Sequence, residues 1–138
     1  MRIVIDTNVL VAAFLTPVGA CGRLLDLALD GAVGVYADRR MLQEYEDVLR
    51  RPQLSLPPDA VTVVLDFFRY AADPVAALPL AVRLPDPDDQ AFLEVAATAE
   101  AVLVTGNLRH FPKKLCKPVQ VVTPKECLDL LRRSTPDL

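Results

Sequence analysis

The chain has 138 residues, of which 52% are hydrophobic and 24% charged, a balance typical of one globular domain with a substantial core. This composition excludes a disordered or low-complexity chain. The net charge of −3 argues against a general nucleic-acid coat protein. It does not exclude an enzyme with an acidic metal site, because bound cations neutralise the carboxylates of such a site.

The sequence predicts neither a membrane span nor a secretion signal. Apolar runs such as Val9 to Leu15 are much shorter than the roughly 20 residues that cross a bilayer, and Asp6 interrupts the apolar N-terminus. The cysteines are odd in number and have no short-spaced pair, which favours buried or incidental thiols over disulfides or a zinc site. We therefore expect a cytoplasmic protein that does not enter a membrane.

Alternating strands and helices are predicted from the N-terminus onward. Residues 3–5 form a β-branched run typical of a buried parallel strand, and Asp6 lies just past its carboxyl end. Next come helices at 7–15 and about 21–30, a strand at 33–36, a helix at about 39–51 capped by Asp38 and ended by Pro52, and a helix opened by Pro58 and lined by Val61, Val64, Leu65 and Phe68. Residues 73–83 fit an irregular edge strand.

The second half continues the alternation. Asp86 is the predicted N-cap and Pro87 the first residue of a helix that extends to about Glu100. The remaining elements are a buried strand at 101–104, a last strand at 119–122, and a closing helix from Thr123 or Pro124 to about Arg132. The pattern predicts one three-layer α/β/α domain over residues 1–138 with a mostly parallel central sheet.

Polar residues from three separate stretches are expected at one edge of this sheet. Ligands of open parallel sheets bind beyond the carboxyl ends of the strands, where the connecting helices also begin. The converging residues are Asp6 and Thr105-Gly106-Asn107, which follow strands, and Asp86, Asp88 and Asp89, which lie in a first helical turn. Each position alone also allows a structural interpretation, because carboxylates cap helices and suit the N-terminal end of the helix dipole.

Asp89 is the acid that is hardest to explain by structure alone. It is in line with Phe92 and Ala96, so its carboxylate projects along an apolar stripe, and a buried, unpaired carboxylate requires a cation. Glu44 flanks the apolar stripe of its helix, where a solvated acid and a site residue fit the pattern equally well. His110 is expected to be a surface or hydrogen-bonded histidine rather than a ligand. Oxygen ligands at a sheet edge suit Mg²⁺ or Mn²⁺.

Four segments in chain order make the sequence similar to the PIN domain family, a nuclease family that includes the toxins of many bacterial and archaeal toxin–antitoxin pairs. The segments are residues 3–10 (IVIDTNVL), 48–52 (VLRRP) at the end of the Glu44 helix, 86–93 (DPDDQAFL) and 103–107 (LVTGN). The resemblance covers nearly the whole chain. It implies that the acidic positions of the family fall on Asp6, Glu44 and Asp89, with Thr105 as a supporting polar residue.

The reaction implied by the resemblance is hydrolysis of an RNA phosphodiester by a metal-activated water. The implied roles are metal binding by Asp6 and Asp89, metal binding or water orientation by Glu44, and positioning of water or phosphate by Thr105 and Asn107. The implied protein partner is an antitoxin whose arginines could occupy the acidic site. Helices near 21–30 and 58–72 could bury a homodimer face.

Asn107 departs from the family pattern, because many members have a fourth acid at this position. A neutral amide weakens the attraction for a second ion, so one-metal and two-metal sites both stay open, and we expect Asp86 and Asp88 to compensate as further metal-binding groups. The same departure allows a catalytically weakened module that only binds RNA or protein. An aspartyl-phosphate mechanism through Asp6 is less favoured, since Asn8 replaces the customary second Asp.

Basic residues that could steer an RNA backbone lie in two short stretches. They are Arg39, Arg40, Arg109, Lys113 and Lys114. Contacts of such residues with phosphates supply affinity without sequence specificity, but solvated surface charges would look the same in the sequence.

Overall fold

Five short strands form an all-parallel sheet in the computed structural model, which describes residues 1–134. The strands are β1 (Arg2–Ile5), β2 (Gly34–Ala37), β3 (Asp73–Pro74), β4 (Val102–Val104) and β5 (Val121–Val122). Their order across the sheet is β3-β2-β1-β4-β5. The predicted α/β class with a parallel sheet is confirmed. The extent of the domain to residue 138 stays a prediction, because residues 135–138 lie outside the described part.

Seven helices lie between or after the strands within the described residues. They are α1 (Thr7–Leu15), α2 (Ala20–Leu29), α3 (Arg39–Leu49), α4 (Pro58–Tyr70), α5 (Gln90–Ala99), α6 (Lys113–Cys116) and α7 (Pro124–Ser134). Asp38 caps α3 by accepting a hydrogen bond of 3.0 Å from Met41 N. Thr123 and Glu126 accept from each other's backbone N–H groups at the start of α7, a capping box that fixes this terminus.

The segment before α5 differs from the prediction of a helix that begins at Pro87. Residues Pro87–Asp89 form a 3-10 turn, in which Asp89 N donates to Asp86 O at 3.1 Å, and α5 begins only at Gln90. Asp86 is the predicted cap, but its Oδ1 accepts from Asp88 N at 2.9 Å and therefore caps this turn. Two further 3-10 turns follow α3 and β4, at Pro52–Leu54 and Leu108–His110.

The predicted edge strand at 73–83 is much shorter in the structure, because only Asp73–Pro74 pairs with β2. Val75 N still donates to Ala37 O of β2 at 3.1 Å, but residues beyond it donate instead to side chains of α5. Leu80 N donates to Glu94 Oε2 at 3.0 Å, and Leu84 N donates to Gln90 Oε1 at 3.1 Å. Both acceptor side chains are buried, so they satisfy backbone donors that a longer strand would have satisfied.

The first turn of the chain, between α1 and α2, brings two backbones very close. Gly22 lies against Pro17, and a Cβ atom at Gly22 would be 1.9 Å from the Pro17 carbonyl oxygen.

Within residues 1–134, no single helix is long and apolar enough to cross a membrane. The bent pair of α1 and α2, at 106°, meets that test only together, by length and composition.

Buried side chains of α3, α4 and α5 pack together beside the end of β1. Ile5, at the end of β1, is 1% exposed, and its carbonyl oxygen accepts a hydrogen bond from the fully buried Tyr45 hydroxyl on α3. The Tyr45 ring lies 4.9 Å from that of Phe68 and 6.2 Å from that of Phe92, between centroids. Burial of each such ring contributes about 1.5–3 kcal/mol. This packing fixes α3 next to the end of β1, where Asp6 follows.

Candidate metal centre

Asp6 connects the end of β1 to the start of α1. Its side chain is the N-cap of α1, and it accepts a hydrogen bond of 2.8 Å from Thr7 N and one of 2.7 Å from Thr105 Oγ1. The residue is 4% exposed. Burial raises the pKa of the Asp6 carboxyl, and the hydrogen bonds from Thr105 and Thr7 oppose that rise. Capping therefore explains part of this site but leaves a buried acid with a raised pKa.

Glu44 lies on the side of α3 that faces the start of α1. It is half-buried and accepts a hydrogen bond from the Thr7 hydroxyl. Burial raises its pKa, the bond from Thr7 opposes this, and the charge of Asp6 raises it further. Between the two interpretations left open by the sequence, the structure thus places Glu44 beside Asp6 rather than in open solvent.

Asp89 is the buried acid that the apolar stripe predicts. It is 7% exposed, and its Oδ2 atom accepts no hydrogen bond from any described residue. Burial raises the pKa of Asp89 to about 6, the charge of Asp6 adds to that rise, and His110 opposes it. His110 Nδ1 lies 3.0 Å from this oxygen, but the contact lacks the directionality of a hydrogen bond. A buried carboxylate oxygen without a donor is the kind of ligand that a cation requires.

The acids line one open cleft of about 830 Å³. The carboxylates in its lining are Asp6, Glu44, Asp86, Asp88 and Asp89, contributed by three separate stretches of the chain. The remaining lining groups are polar or basic side chains and an apolar set from α1, α3 and the 3-10 turn after α3, namely Thr7, Asn8, Arg51, Gln53, His110, Val11, Ala12, Leu15, Val48 and Leu54. The cleft therefore combines a concentrated negative charge with an apolar surface.

Thr105 and Asn107 do not line this cleft. Thr105 is completely buried and reaches the site only through its bond to Asp6. Asn107 Oδ1 accepts a hydrogen bond of 3.2 Å from Arg109 N, so that its side chain caps the 3-10 turn at Leu108–His110. The catalytic role of Asn107 stays a prediction.

Several cleft residues were not identified from the sequence. Asn8 Oδ1 accepts from Gly106 N at 3.0 Å and so ties the start of α1 to the loop after β4. His110 reaches Asp89 although 42% of its side chain is exposed. Arg51 lines both this cleft and a neighbouring one of about 400 Å³. Its position at the end of the VLRRP segment was the available signal.

Among the predicted basic residues, Arg40 forms salt bridges with two acids. Its guanidinium is 2.7 Å from Asp38 Oδ2 and 2.8 Å from Glu94 Oε1, and Glu94 is buried. Its contacts therefore indicate a structural pairing. Four others lie outside the lining of the acidic cleft, namely Arg39, Arg109, Lys113 and Lys114.

Three side chains are close enough together to hold one metal ion, those of Asp86, Asp89 and His110. One ligand atom from each of these residues lies within 4.8 Å of the others. The set offers two carboxylate oxygens and one imidazole nitrogen. Because Asp89 Oδ2 is buried and has no hydrogen-bond donor among the described residues, the set fits a divalent cation at the edge of the sheet.

Comparisons with known proteins agree with this fold. A family model of the PIN domain matches residues 2–109. An uncharacterized protein of Methanocaldococcus jannaschii, MJ1680, is 27% identical over 140 residues, which covers 94% of this chain and 90% of that protein. A chain in the crystal structure of VapBC2 from Rickettsia felis bound to a DNA fragment from their promoter superimposes with a TM-score of 0.58. The superposition covers 89% of this chain and 98% of that one at 16% identity, which shows likeness of fold. The chain belongs to the PIN domain family, whose members are generally nucleases.

Proposed function

We propose that this protein is a metal-dependent endoribonuclease that uses Mg²⁺ or Mn²⁺. The observation that carries the proposal is Asp89 Oδ2, a buried carboxylate oxygen without a hydrogen-bond donor among the described residues, in the same cleft as Asp6 and Glu44. Concentrated carboxylates in an open cleft repel one another unless a cation is present. The PIN family match supports phosphodiester hydrolysis as the use of that cation.

Asp6 and Asp89 are the proposed ligands that hold the ion, with Asp86 and Asp88 as additional carboxylates in place of an acid at position 107. A bound divalent ion would lower the pKa of a water molecule and stabilise negative charge on the scissile phosphate. The bonds from Thr7 N and Thr105 fix the orientation of the Asp6 carboxylate. Hydrogen bonds to a metal ligand from groups that do not themselves bind the metal determine how well that ligand is oriented.

Glu44 is the proposed group that orients the attacking water or provides a further ligand. Its carboxylate is held by the Thr7 hydroxyl, whose neighbouring backbone N–H binds Asp6. One residue thus positions both acids. The raised pKa of Glu44 suits a group that accepts a proton from water during hydrolysis.

Arg51 is the proposed contact for the RNA backbone. It is exposed, it lines the acidic cleft, and within the described residues no carboxylate lies within salt-bridge distance of it. A guanidinium that is not engaged by an acid is available to bind phosphate. Apolar groups nearby, including Leu15 and Leu54, offer a surface for a nucleotide base.

We further propose that the protein acts as the toxin of a toxin–antitoxin pair in the cytoplasm. The solved structure of similar fold is described as VapBC2 bound to a promoter DNA fragment, which supports a protein partner for this chain. A partner arginine would be attracted to the acidic cleft and would block it. Co-expression with the product of a small basic reading frame immediately upstream tests this, because a cognate antitoxin would suppress RNA cleavage by the purified complex.

A homodimer is also proposed. Val63 and Tyr70 on α4 are 63% and 83% exposed, and such apolar groups on one helix support association through this face. Sedimentation of the purified protein and of a Val63→Lys variant tests it, because a dimer through α4 would dissociate in the variant. A monomeric wild-type protein would contradict it.

The deciding experiment is RNA cleavage by the purified protein with Mg²⁺ or Mn²⁺. We expect EDTA, Asp6→Asn and Asp89→Asn each to abolish cleavage, whereas Asp59→Asn, at an exposed acid on α4, leaves it unchanged. Metal-independent cleavage, or full activity of both site variants, contradicts the mechanism. Because Asn107 supplies no fourth carboxylate, a module that only binds RNA or protein is the second candidate, and RNA binding without cleavage by the wild-type protein would favour it.

A further inference from the structure

His110 contacts the acid that lacks a hydrogen-bond donor. Its Nδ1 atom lies 3.0 Å from Asp89 Oδ2, and Asp86 supplies a third donor atom within 4.8 Å of the other two. We propose that His110 is a metal ligand, and that Asp86, Asp89 and His110 form a mixed nitrogen–oxygen site that selects a divalent transition ion such as Mn²⁺ over Mg²⁺. This inference builds on the proposed function, because it concerns the identity of the ion in that cleft.

The backbone around His110 holds the imidazole at the cleft. His110 N donates to Asn107 O at 3.2 Å, and the Asn107 side chain caps the same 3-10 turn through Arg109 N. The next residue, Phe111, is 1% exposed and anchors the end of the turn in the core. The neutral residue at position 107 thus supports the turn that brings a nitrogen ligand to the site.

The separation between the two atoms fits adjacent ligands of one ion. In an octahedral site with metal–ligand bonds of about 2.1 Å, neighbouring ligand atoms are about 3.0 Å apart. Asp89 Oδ2 is buried and has no donor among the described residues, so it needs a positive charge from outside the protein or from His110 itself. The His110 side chain is 42% exposed and lines the cleft, so the imidazole lies at the cleft surface beside this buried oxygen.

The chemistry of the three ligands determines which ion they favour. Mg²⁺ binds oxygen ligands and retains water, whereas an imidazole nitrogen is a good ligand for divalent transition ions. A histidine among the ligands therefore raises the affinity for Mn²⁺, Co²⁺ or Zn²⁺ more than the affinity for Mg²⁺.

A protonated His110 that serves only as a counter-ion for Asp89 would give the same distance. The two arrangements respond in opposite ways to removal of the imidazole. A lost ligand weakens binding of Mn²⁺, whereas a lost cation removes repulsion and strengthens the binding of any divalent ion. The sign of the change in affinity therefore distinguishes them.

The experiment measures Mn²⁺ and Mg²⁺ binding by calorimetry for the wild type, His110→Ala and His110→Asn, with Leu108→Ala as a control on the same turn. We expect the His110 variants to lose about tenfold or more in Mn²⁺ affinity and less than about twofold in Mg²⁺ affinity, and the control to match the wild type. Thermal unfolding in EDTA shows whether each variant is folded.

Electron spin echo spectroscopy of the Mn²⁺-loaded wild-type protein provides a readout that needs no variant. We expect a ¹⁴N coupling from a directly bound imidazole, and its loss in His110→Ala. Absence of nitrogen coupling in the wild type, or Mn²⁺ affinity that is unchanged or higher in the variants, overturns the proposal. The proposed function fails separately, since a protein that binds Mn²⁺ through nitrogen but does not cleave RNA contradicts only the nuclease assignment.

Discussion

Thr105 donates a hydrogen bond of 2.7 Å to Asp6 Oδ2, and this contact joins the end of the central strand, β1, to the end of its neighbour β4. Thr105 is completely buried, so water does not compete for the bond. The other Asp6 oxygen accepts from Thr7 N. Asp6 is thus oriented by its neighbour in sequence and by a residue 99 positions away.

Replacement of Thr105 by Val tests this relationship. The substitution keeps the shape of the side chain but removes the donor that lowers the pKa of Asp6, so this pKa should rise further. We expect the pH midpoint of Mn²⁺ binding to move upward and the free energy of unfolding to fall by about 1 kcal/mol. Thr105→Ser retains the hydroxyl and should keep the wild-type midpoint. Equal pH midpoints of Mn²⁺ binding for Thr105→Val and Thr105→Ser would show that the hydrogen bond from Thr105 to Asp6 has no effect on the site.

The raised pKa of Asp89 predicts how the metal-free protein responds to pH. The folded-state pKa is about 6 against an ordinary value of 3.8, so between these values the folded state holds a proton that the unfolded state has released. The free energy of unfolding should therefore fall as pH rises from about 4 to about 6, and then level off. A divalent cation added at higher pH should restore stability, because it binds the folded state.

Denaturant unfolding in EDTA across this pH range measures the effect, with Asp89→Asn for comparison. Asp6 and Glu44 also have raised pKa values, so the difference between the two curves isolates Asp89. That difference should change between about pH 4 and pH 6. Parallel curves would mean that the Asp89 carboxyl does not titrate in this window.

Arg51 and Arg50 form a matched pair for a test of RNA binding. Arg50 is 3.4 Å from Glu46 Oε2 and donates to Thr62 Oγ1 at 3.0 Å, whereas Arg51 lines the acidic cleft. In an Asp6→Asn background that prevents cleavage, Arg51→Ala should weaken RNA binding and reduce the salt-dependence slope by about 1. Arg50→Ala should change neither quantity. Equal effects of the two variants would place the phosphate contact elsewhere.

The contact between Arg40 and buried Glu94 supports the irregular segment before α5. Loss of the guanidinium leaves Glu94 Oε1 without its donor, which costs about 1–3 kcal/mol of stability. We therefore expect Arg40→Ala to destabilise the protein and to speed amide exchange at Leu80, which donates to the same carboxylate. Arg39→Ala, at an exposed neighbouring position, should change stability by less than about 0.5 kcal/mol. A free energy of unfolding in urea that is the same for Arg40→Ala and the wild type would contradict a structural role for Arg40.

Gly22 has no space for a side chain. A Cβ atom would meet the carbonyl oxygen of Pro17 at 1.9 Å, and this backbone atom cannot rotate away. Gly22→Ala should push the turn at Pro17 away from α2 and lower stability by about 1–3 kcal/mol in thermal or denaturant unfolding. Gly19→Ala is the control, because its nearest neighbours would be 3.4 Å away. A Gly22→Ala protein as stable as the control would contradict this packing.

Sequence patterns predicted the fold and part of the cleft because both depend on local signals. The β-branched run at 3–5 predicted β1, and the apolar spacing after Asp89 correctly placed this acid towards the interior. Short edge elements were less predictable. β3 has two residues because α5 side chains, rather than a neighbouring strand, accept hydrogen bonds from the next segment.

The sequence patterns did not predict which residues that are distant in sequence contact each other. His110 lies in the capped turn after β4 and Asp89 ends the 3-10 turn before α5, so their contact joins two irregular turns. Arg40 resembled any exposed basic residue, and only the structure shows that it pairs with Glu94. Such contacts depend on the path of loops and on side-chain reach, neither of which has a periodic signature.

The parallel pairing of β1 with β4 also determines when the site is complete during synthesis. Asp6 is made first, Glu44 and Asp89 follow, and the donor to Asp6, Thr105, is made only after β4. A ribosome-bound chain that has not yet released β4 would lack the bond that orients Asp6. Under the proposed function, the nascent protein would be unable to cut the messenger that encodes it until nearly the whole domain had emerged.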